Sequence, residues 1–139
     1  MEPHVQTLTI GALAQRGGVN LETIRYYERE GLMLPPPRKS SGHRAYAPGD
    51  LRRLRFIKRA KELGFSLAEI KELLALRRDP GQPCSDVIRR IEAKTEEVAR
   101  KIVHLRAMRR ALIRLKNSCE GECPMSECPI LENLDSEVA

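Results

Sequence analysis

Residues 9–31 read TIGALAQRGGVNLETIRYYEREG, and the punctuation of this stretch sets the N-terminal fold. Thr9 is a helix N-cap residue, and Ile10, Leu13 and Ala14 then fall on one face of a helix running to about Arg16. Gly17-Gly18-Val19 is a tight turn. Asn20 caps a second helix through about Glu30, with Glu22 in its first turn, where the helix dipole favours negative charge. Gly31 ends it. Two short helices across a glycine turn form a helix–turn–helix unit, the geometry with which many proteins place a helix in a DNA groove, although other helical hairpins share the pattern.

Beyond this unit, residues 34–47 change character. Leu34-Pro35-Pro36-Pro37-Arg38-Lys39-Ser40-Ser41-Gly42-His43-Arg44-Ala45-Tyr46 combines prolines with a Ser-Ser-Gly turn and a β-compatible Arg-x-Tyr. A small two-stranded wing is expected here, with Arg38, Lys39, His43 and Arg44 at its tip. Pro48 suits the first position of a third helix, to about Leu63. Leu51, Leu54, Phe56, Ile57 and Ala60 supply its apolar face, and Arg52, Arg53, Arg55, Lys58, Arg59 and Lys61 crowd the rest. Ser66-Leu67-Ala68-Glu69 is a capping box opening a fourth helix, to about Leu76. Asp79-Pro80-Gly81-Gln82-Pro83 then breaks the chain, closing an N-terminal domain of residues 1–80.

A long helix is expected from about Cys84 to Asn117. Val87/Ile88, Ile91, Thr95, Val98, Ile102, Leu105, Met108, Leu112 and Leu115 form a heptad stripe with Arg, Lys and Glu outside it. So narrow a stripe on so long a helix calls for a second copy, which makes residues 81–118 a coiled-coil dimerisation helix and residues 119–139 a terminal loop and tail. Ile130, Leu131 and Leu134 are expected to fold back onto the helix pair. Cys84 and Cys119 lie on the same seven-residue ladder, roughly 50 Å apart along a continuous helix. They cannot share a ligand within one chain. An antiparallel pair would set Cys84 of one protomer beside Cys119 and Cys128 of the other, whereas a parallel pair would keep them apart. The stripe alone does not choose between the two.

Charge is distributed unevenly. Residues 1–80 carry fifteen Lys/Arg against nine Asp/Glu, and residues 81–139 carry ten of each, so the whole net charge of +6 belongs to the first part. A polyanionic partner follows from that placement. No apolar run approaches the roughly 20 residues of a membrane span. The N-terminus lacks an apolar signal core, so a cytoplasmic protein with reduced cysteines is expected. Four reduced cysteines, three of them within residues 119–128, suit metal or redox chemistry better than structural disulfides. No nucleophile–base set, phosphate loop or catalytic metal motif points to an enzyme.

Taken together these residues resemble the MerR family of bacterial transcription regulators. The resemblance is carried by Thr9-Ile10-Gly11-Ala12-Leu13-Ala14, by Gly18-Val19-Asn20-Leu21-Glu22-Thr23-Ile24-Arg25-Tyr26-Tyr27-Glu28 and by Gly31-Leu32. Gly42-His43-Arg44-Ala45-Tyr46, Leu54-Arg55-Phe56-Ile57-Lys58-Arg59-Ala60 and Leu63-Gly64-Phe65-Ser66-Leu67 extend it. It covers residues 7 to about 134. It implies a mainly α fold: a winged helix–turn–helix DNA-binding domain, a long antiparallel coiled-coil dimerisation helix and a C-terminal metal-binding loop. It also implies a homodimer that occupies promoter DNA, represses without ligand and, with ligand, bends and untwists the DNA so that RNA polymerase engages it. By the same match Asn20, Thr23, Arg25 and Tyr26 are expected on or near the groove side of the second helix. His43, Arg44 and Tyr46 are expected in the wing contact, and Lys58 at the DNA backbone. Tyr27 fits either the groove side or the core; Phe56, Ile57 and Phe65 fit the core.

Cys84 at the start of the long helix resembles the branch sensing divalent soft metals. The spacings of 35 residues to Cys119 and 9 more to Cys128, with Cys128-Pro129-Ile130-Leu131, resemble the mercury-responsive members. Lead-responsive members share a very similar spacing, and zinc-responsive ones have a slightly longer loop. Soft thiolates select soft ions, and three of them suit trigonal Hg(II), whereas Zn(II) prefers four donors. Cys84, Cys119 and Cys128 are therefore the expected ligands, Cys84 from one chain and the other two from its partner. Cys123 departs from the mercury pattern: it reads as an accessory or bystander thiol, with a fourth-ligand role favouring Zn(II), Cd(II) or Pb(II) left open. His104, His4 and Met125 are weaker donors by position. Two rival readings remain, a thiol redox sensor on DNA and a zinc-stapled DNA-binding protein without a switch.

Overall fold

A computed structural model describes residues 7–36 and 45–136. The described residues form α1 (Ile10–Gly17), α2 (Leu21–Arg29), α3 (Pro48–Glu62), α4 (Leu67–Arg77), α5 (Ser85–Asn117), a 3-10 turn at Met125–Glu127 and α6 (Pro129–Leu134). The chain divides into two compact units, one ending at Arg90 and the other beginning at Ile91. The mainly α fold is as expected.

Each of the first four helices starts where its capping chemistry allows. Thr9 Oγ1 accepts the Ala12 N–H at 3.1 Å, and Asn20 Oδ1 accepts the Thr23 N–H at 2.8 Å. Asp50 Oδ2 reaches back to the Ala47 N–H at 2.8 Å ahead of Pro48. At Ser66 both halves of the capping box form, the Ser66 N–H donating to Glu69 at 2.8 Å and the Glu69 N–H to Ser66 at 3.2 Å. Such caps satisfy backbone donors that the first helical turn leaves open.

The first unit closes around one core. Leu13, Ile24, Leu32, Leu54, Ile57 and Ile70 are fully buried, joined by Ala14, Tyr27, Ala60, Phe65, Leu73 and Leu74, with Phe56 half-buried against them. The turn between α1 and α2 depends on Gly18 at φ 67°. Gly17 has a different reason: a Cβ built there would meet Leu54 Cδ2 at 2.3 Å, so α1 and α3 pack through the missing side chain. Gly17→Ala should therefore overpack this contact and cost about 1–3 kcal/mol. A lower thermal midpoint of the intact protein checks it, and an unchanged midpoint would mean that Leu54 swings aside freely.

The segment expected to form the wing is described only at its end. Leu8 and Tyr46 form an antiparallel bridge, with N···O distances of 2.7 and 2.8 Å. The expected tip, including Arg38, Lys39, His43 and Arg44, lies outside the described residues. Arg53 Nε donates to the Leu32 carbonyl at 2.6 Å and so pins the segment after α2 onto α3. Burial, with Arg78 adding repulsion, lowers the pKa of this guanidinium from its ordinary value.

α5 opens with Cys84, whose carbonyl accepts the Ile88 N–H at 3.0 Å. Near its start Arg90 pairs with Glu72 of α4. Beyond Asn117 the chain is more regular than the loop expected from Ser118 onward: Pro129, whose ring presets a helical φ, starts α6. α6 returns toward α5, with Asn133 sharing a shallow hollow with Ala111, Arg114, Leu115 and Ser118. Ile130 is half-buried, whereas Leu131 and Leu134 stay exposed on the single chain. No helix among the described residues is long and apolar enough to cross a membrane.

Candidate functional site

The first candidate surface surrounds α2. Arg25 and Tyr26 are exposed, and Arg25 is held loosely by Glu22 at 3.6 Å one turn earlier. An exposed pair of this kind contributes little to stability, so the guanidinium can exchange it for a phosphate or a base edge. Asn20 and Thr23 have a structural task as well. The Thr23 hydroxyl donates to Asn20 Oδ1 at 2.8 Å, beside the backbone bond to the same oxygen, so the two residues lock the start of α2. Tyr27 turns inward into the core, where burial raises its phenol pKa and Tyr26 adds to the effect.

Tyr46 requires a correction. The wing reading has it touching DNA, but its side chain is 0% exposed and its hydroxyl donates to Glu28 Oε2 at 3.2 Å. An aromatic ring this large gains more from burial than from a rim contact, and the Leu8 bridge holds its backbone where the ring enters the core. Lys58 is half-buried and donates from Nζ to the Gly18 carbonyl at 3.0 Å, closing the turn between α1 and α2. Around it Arg16, Arg55 and Arg59 line one shallow hollow with Gln15 and Glu62. Nothing in the sequence singles out Arg16: it lies about 40 positions from Arg55, and only the packing of α1 on α3 joins them. The result is a cationic surface at the turn between α1 and α2, suited to a polyanionic backbone.

The second candidate surface is the thiol group beyond α5. Cys119 Sγ and Cys123 Sγ stand 3.4 Å apart, and the Gly121 N–H points at Cys119 Sγ from 3.4 Å. Gly121 has φ 86°, the left-handed turn that brings Cys123 back to Cys119. The Gly121 N–H, then the Cys123 thiol and more weakly the Cys128 thiol lower the Cys119 pKa, while the same contact raises that of Cys123. Cys84 is exposed in the other unit, at the cap of α5. Among the described residues no three His, Cys, Asp or Glu side chains gather into a complete metal site within one chain.

An exposed helix face and a cluster of cations, on a helix–turn–helix scaffold followed by a 33-residue helix, define a DNA-binding protein of the helix–turn–helix class. The sequence matches the family described as "MerR HTH family regulatory protein" over residues 8–76 and "MerR, DNA binding" over residues 51–115. It is 45% identical to a mercuric resistance operon regulatory protein of Bacillus cereus, covering 90% of this chain and 95% of that one. It is 39% identical to the protein of the same description from Serratia marcescens, covering 99% and 94%. The lead(II) complex of a transcription regulator from Ralstonia metallidurans superposes with a TM-score of 0.78, at 36% identity, covering 91% of this chain and 98% of that one. This chain belongs to the MerR family of transcription regulators. It binds promoter DNA and is not an enzyme.

The DNA surface carries a direct test. Arg25→Ala should lower operator affinity about tenfold or more, with no change in metal stoichiometry. Mobility-shift titration at fixed salt reads it, and unchanged affinity would remove Arg25 from the interface.

Proposed function

We propose that this regulator senses Hg(II) and switches a mercury-resistance promoter between repression and activation. The observation that carries the reading is a chain with thiols at both ends of α5, similar over nearly its whole length to regulators of mercuric resistance operons. In this reading residues 1–80 read DNA, residues 81–118 pair two chains antiparallel, and residues 119–139 close the metal site. Each of the two sites takes Cys84 from one protomer with Cys119 and Cys128 from the other.

The exposed stripe on α5 supports the pairing: Ile102 is 43%, Leu105 59% and Leu112 63% exposed on the single chain. So long an apolar row on an isolated helix is stabilised by a second helix. The donor chemistry supports the metal, since soft thiolates prefer soft cations. Bound Hg(II) supplies a cross-link between protomers. The chain's own contribution is to hold Cys119 ready to ionise through Gly121 and to couple α5 to α4 through Arg90–Glu72, so that a change at the thiols reaches the DNA-reading helices. Distorted promoter DNA then engages RNA polymerase.

The likeness to a lead(II)-bound regulator favours one second reading, a Pb(II) response at the same cysteines. Titrating the reduced protein with Hg(II), Pb(II), Cd(II) and Zn(II) under excess competing thiol, coupled to transcription in vitro, separates them. Activation by Hg(II) at the lowest free concentration supports the proposal, and activation by Pb(II) ahead of Hg(II) replaces it. Activation by oxidant without any metal would return the protein to redox sensing.

A further inference from the structure

The first unit carries a second cationic hollow, separate from the one around Lys58. Arg52 and Arg53 of α3 and Arg77 and Arg78 at the end of α4 line it, with Gly49 and Leu74 and no acid. At 3.6 residues per turn, Arg52 and Arg53 point roughly 120° away from Arg55, Lys58 and Arg59, so the two hollows face different directions. Arg53 is held by the Leu32 carbonyl and Arg77 lies over the Phe56 ring, whereas Arg52 and Arg78 are exposed and have no ion pair among the described residues. The cations are crowded: burial and then Arg78 hold the Arg53 pKa below its ordinary value, with Asp50 offsetting a part.

The C-terminal segment has the opposite character. Glu120, Glu122, Glu127, Glu132 and Asp135 are exposed, no Lys or Arg lies among residues 118–136, and none of the five acids has an ion pair among the described residues. In the antiparallel pair proposed above, residues 119–128 of one protomer stand beside Cys84 of the other. Arg78 precedes Cys84 by six residues, roughly 20 Å at full extension. We infer that the arginine hollow of each protomer receives the acidic C-terminal segment of a second copy of this chain, with Glu120 and Glu122 nearest Arg52 and Arg78. The inference rests on the antiparallel pairing and adds to it a contact that selects orientation by charge.

The test mixes two full-length variants. Arg52→Glu with Arg78→Glu reverses the hollow while sparing the bonds of Arg53 and Arg77; Glu120→Lys with Glu122→Lys reverses the segment. Either variant paired with itself sets like charges together, whereas the mixed dimer sets opposite charges together at both ends. Native mass spectrometry of equilibrated equimolar mixtures should show mixed dimers as about three quarters or more of the population at low salt, falling toward the statistical half at about 0.5 M salt. Mixed dimers at half in low salt would overturn the inference. If, in addition, the hollow variant alone lowers the salt dependence of operator binding by about two ions, the hollow belongs to DNA instead. Hg(II) cross-linking of Cys84→Ser protomers mixed with Cys119→Ser protomers separates the two levels. Cross-linking with mixed dimers at half refutes the docking alone, and its absence refutes the antiparallel pair beneath it.

Discussion

Replacing Cys119 with serine should abolish the proposed response to Hg(II) while operator binding persists. The physical reason is the mismatch between a hard hydroxyl and a soft cation, at a thiol whose ionisation the Gly121 N–H and the neighbouring cysteines favour. Losing a direct ligand should exceed the ~10- to 100-fold loss that follows changes in the surroundings of a metal site. Cys119 is half-buried outside the core, which spans Leu8 to Leu74, so the DNA-reading unit should keep its fold. Transcription in vitro should stay at its uninduced level at every Hg(II) concentration, with mobility shifts like those of the parent protein. Cys84→Ser and Cys128→Ser should behave in the same way. Full induction in any one of the three would remove that residue from the metal site.

The second large effect concerns the dimer. Pairing Cys84 with the partner's Cys119 places the two-fold axis beside Lys101 and Ile102, so Ile102 would face its own copy. Ile102→Asp then sets two carboxylates against each other in an apolar seam, at a cost of about 3–5 kcal/mol. On the single chain Ile102 is 43% exposed, so the substitution should leave each protomer folded. Sedimentation at micromolar concentration should show monomers, and operator affinity should fall by at least about 100-fold as half-sites lose their linkage. A parallel pair would also bring the two copies of residue 102 together, so orientation needs its own readout: Hg(II) cross-linking of Cys84→Ser protomers mixed with Cys119→Ser protomers. A dimeric Ile102→Asp protein with normal operator affinity would show that α5 does not carry the pairing.

Local chemistry explains what was legible in the sequence. Thr9, Asn20, Pro48 and Ser66-x-x-Glu69 start helices because capping is a matter of three or four adjacent residues, and the elements begin where those residues stand. The heptad ladder is also local, and α5 runs from Ser85 to Asn117 as its periodicity requires. The rest depends on which distant atoms meet. A β-compatible Arg-x-Tyr puts Tyr46 in the wing without revealing which way its ring faces; Glu28, eighteen positions earlier, holds its hydroxyl in the interior. Arg53 and Lys58 lie among six similar cations on α3, and only the packed chain shows that they bond the carbonyls of Leu32 and Gly18.

The thiols divide along the same line. Their number, their softness and their placement around one long helix are written in the sequence, and these carry the proposal of a soft-metal sensor. That Cys123 lies against Cys119 comes only with the fold, because it depends on a left-handed turn at Gly121 that spacing does not specify. Helices and ladder were the sequence's to settle, since each rests on neighbours within a turn or two. Which cations support the scaffold and which sulfurs meet was left to tertiary packing, since those contacts exist only after the core has closed.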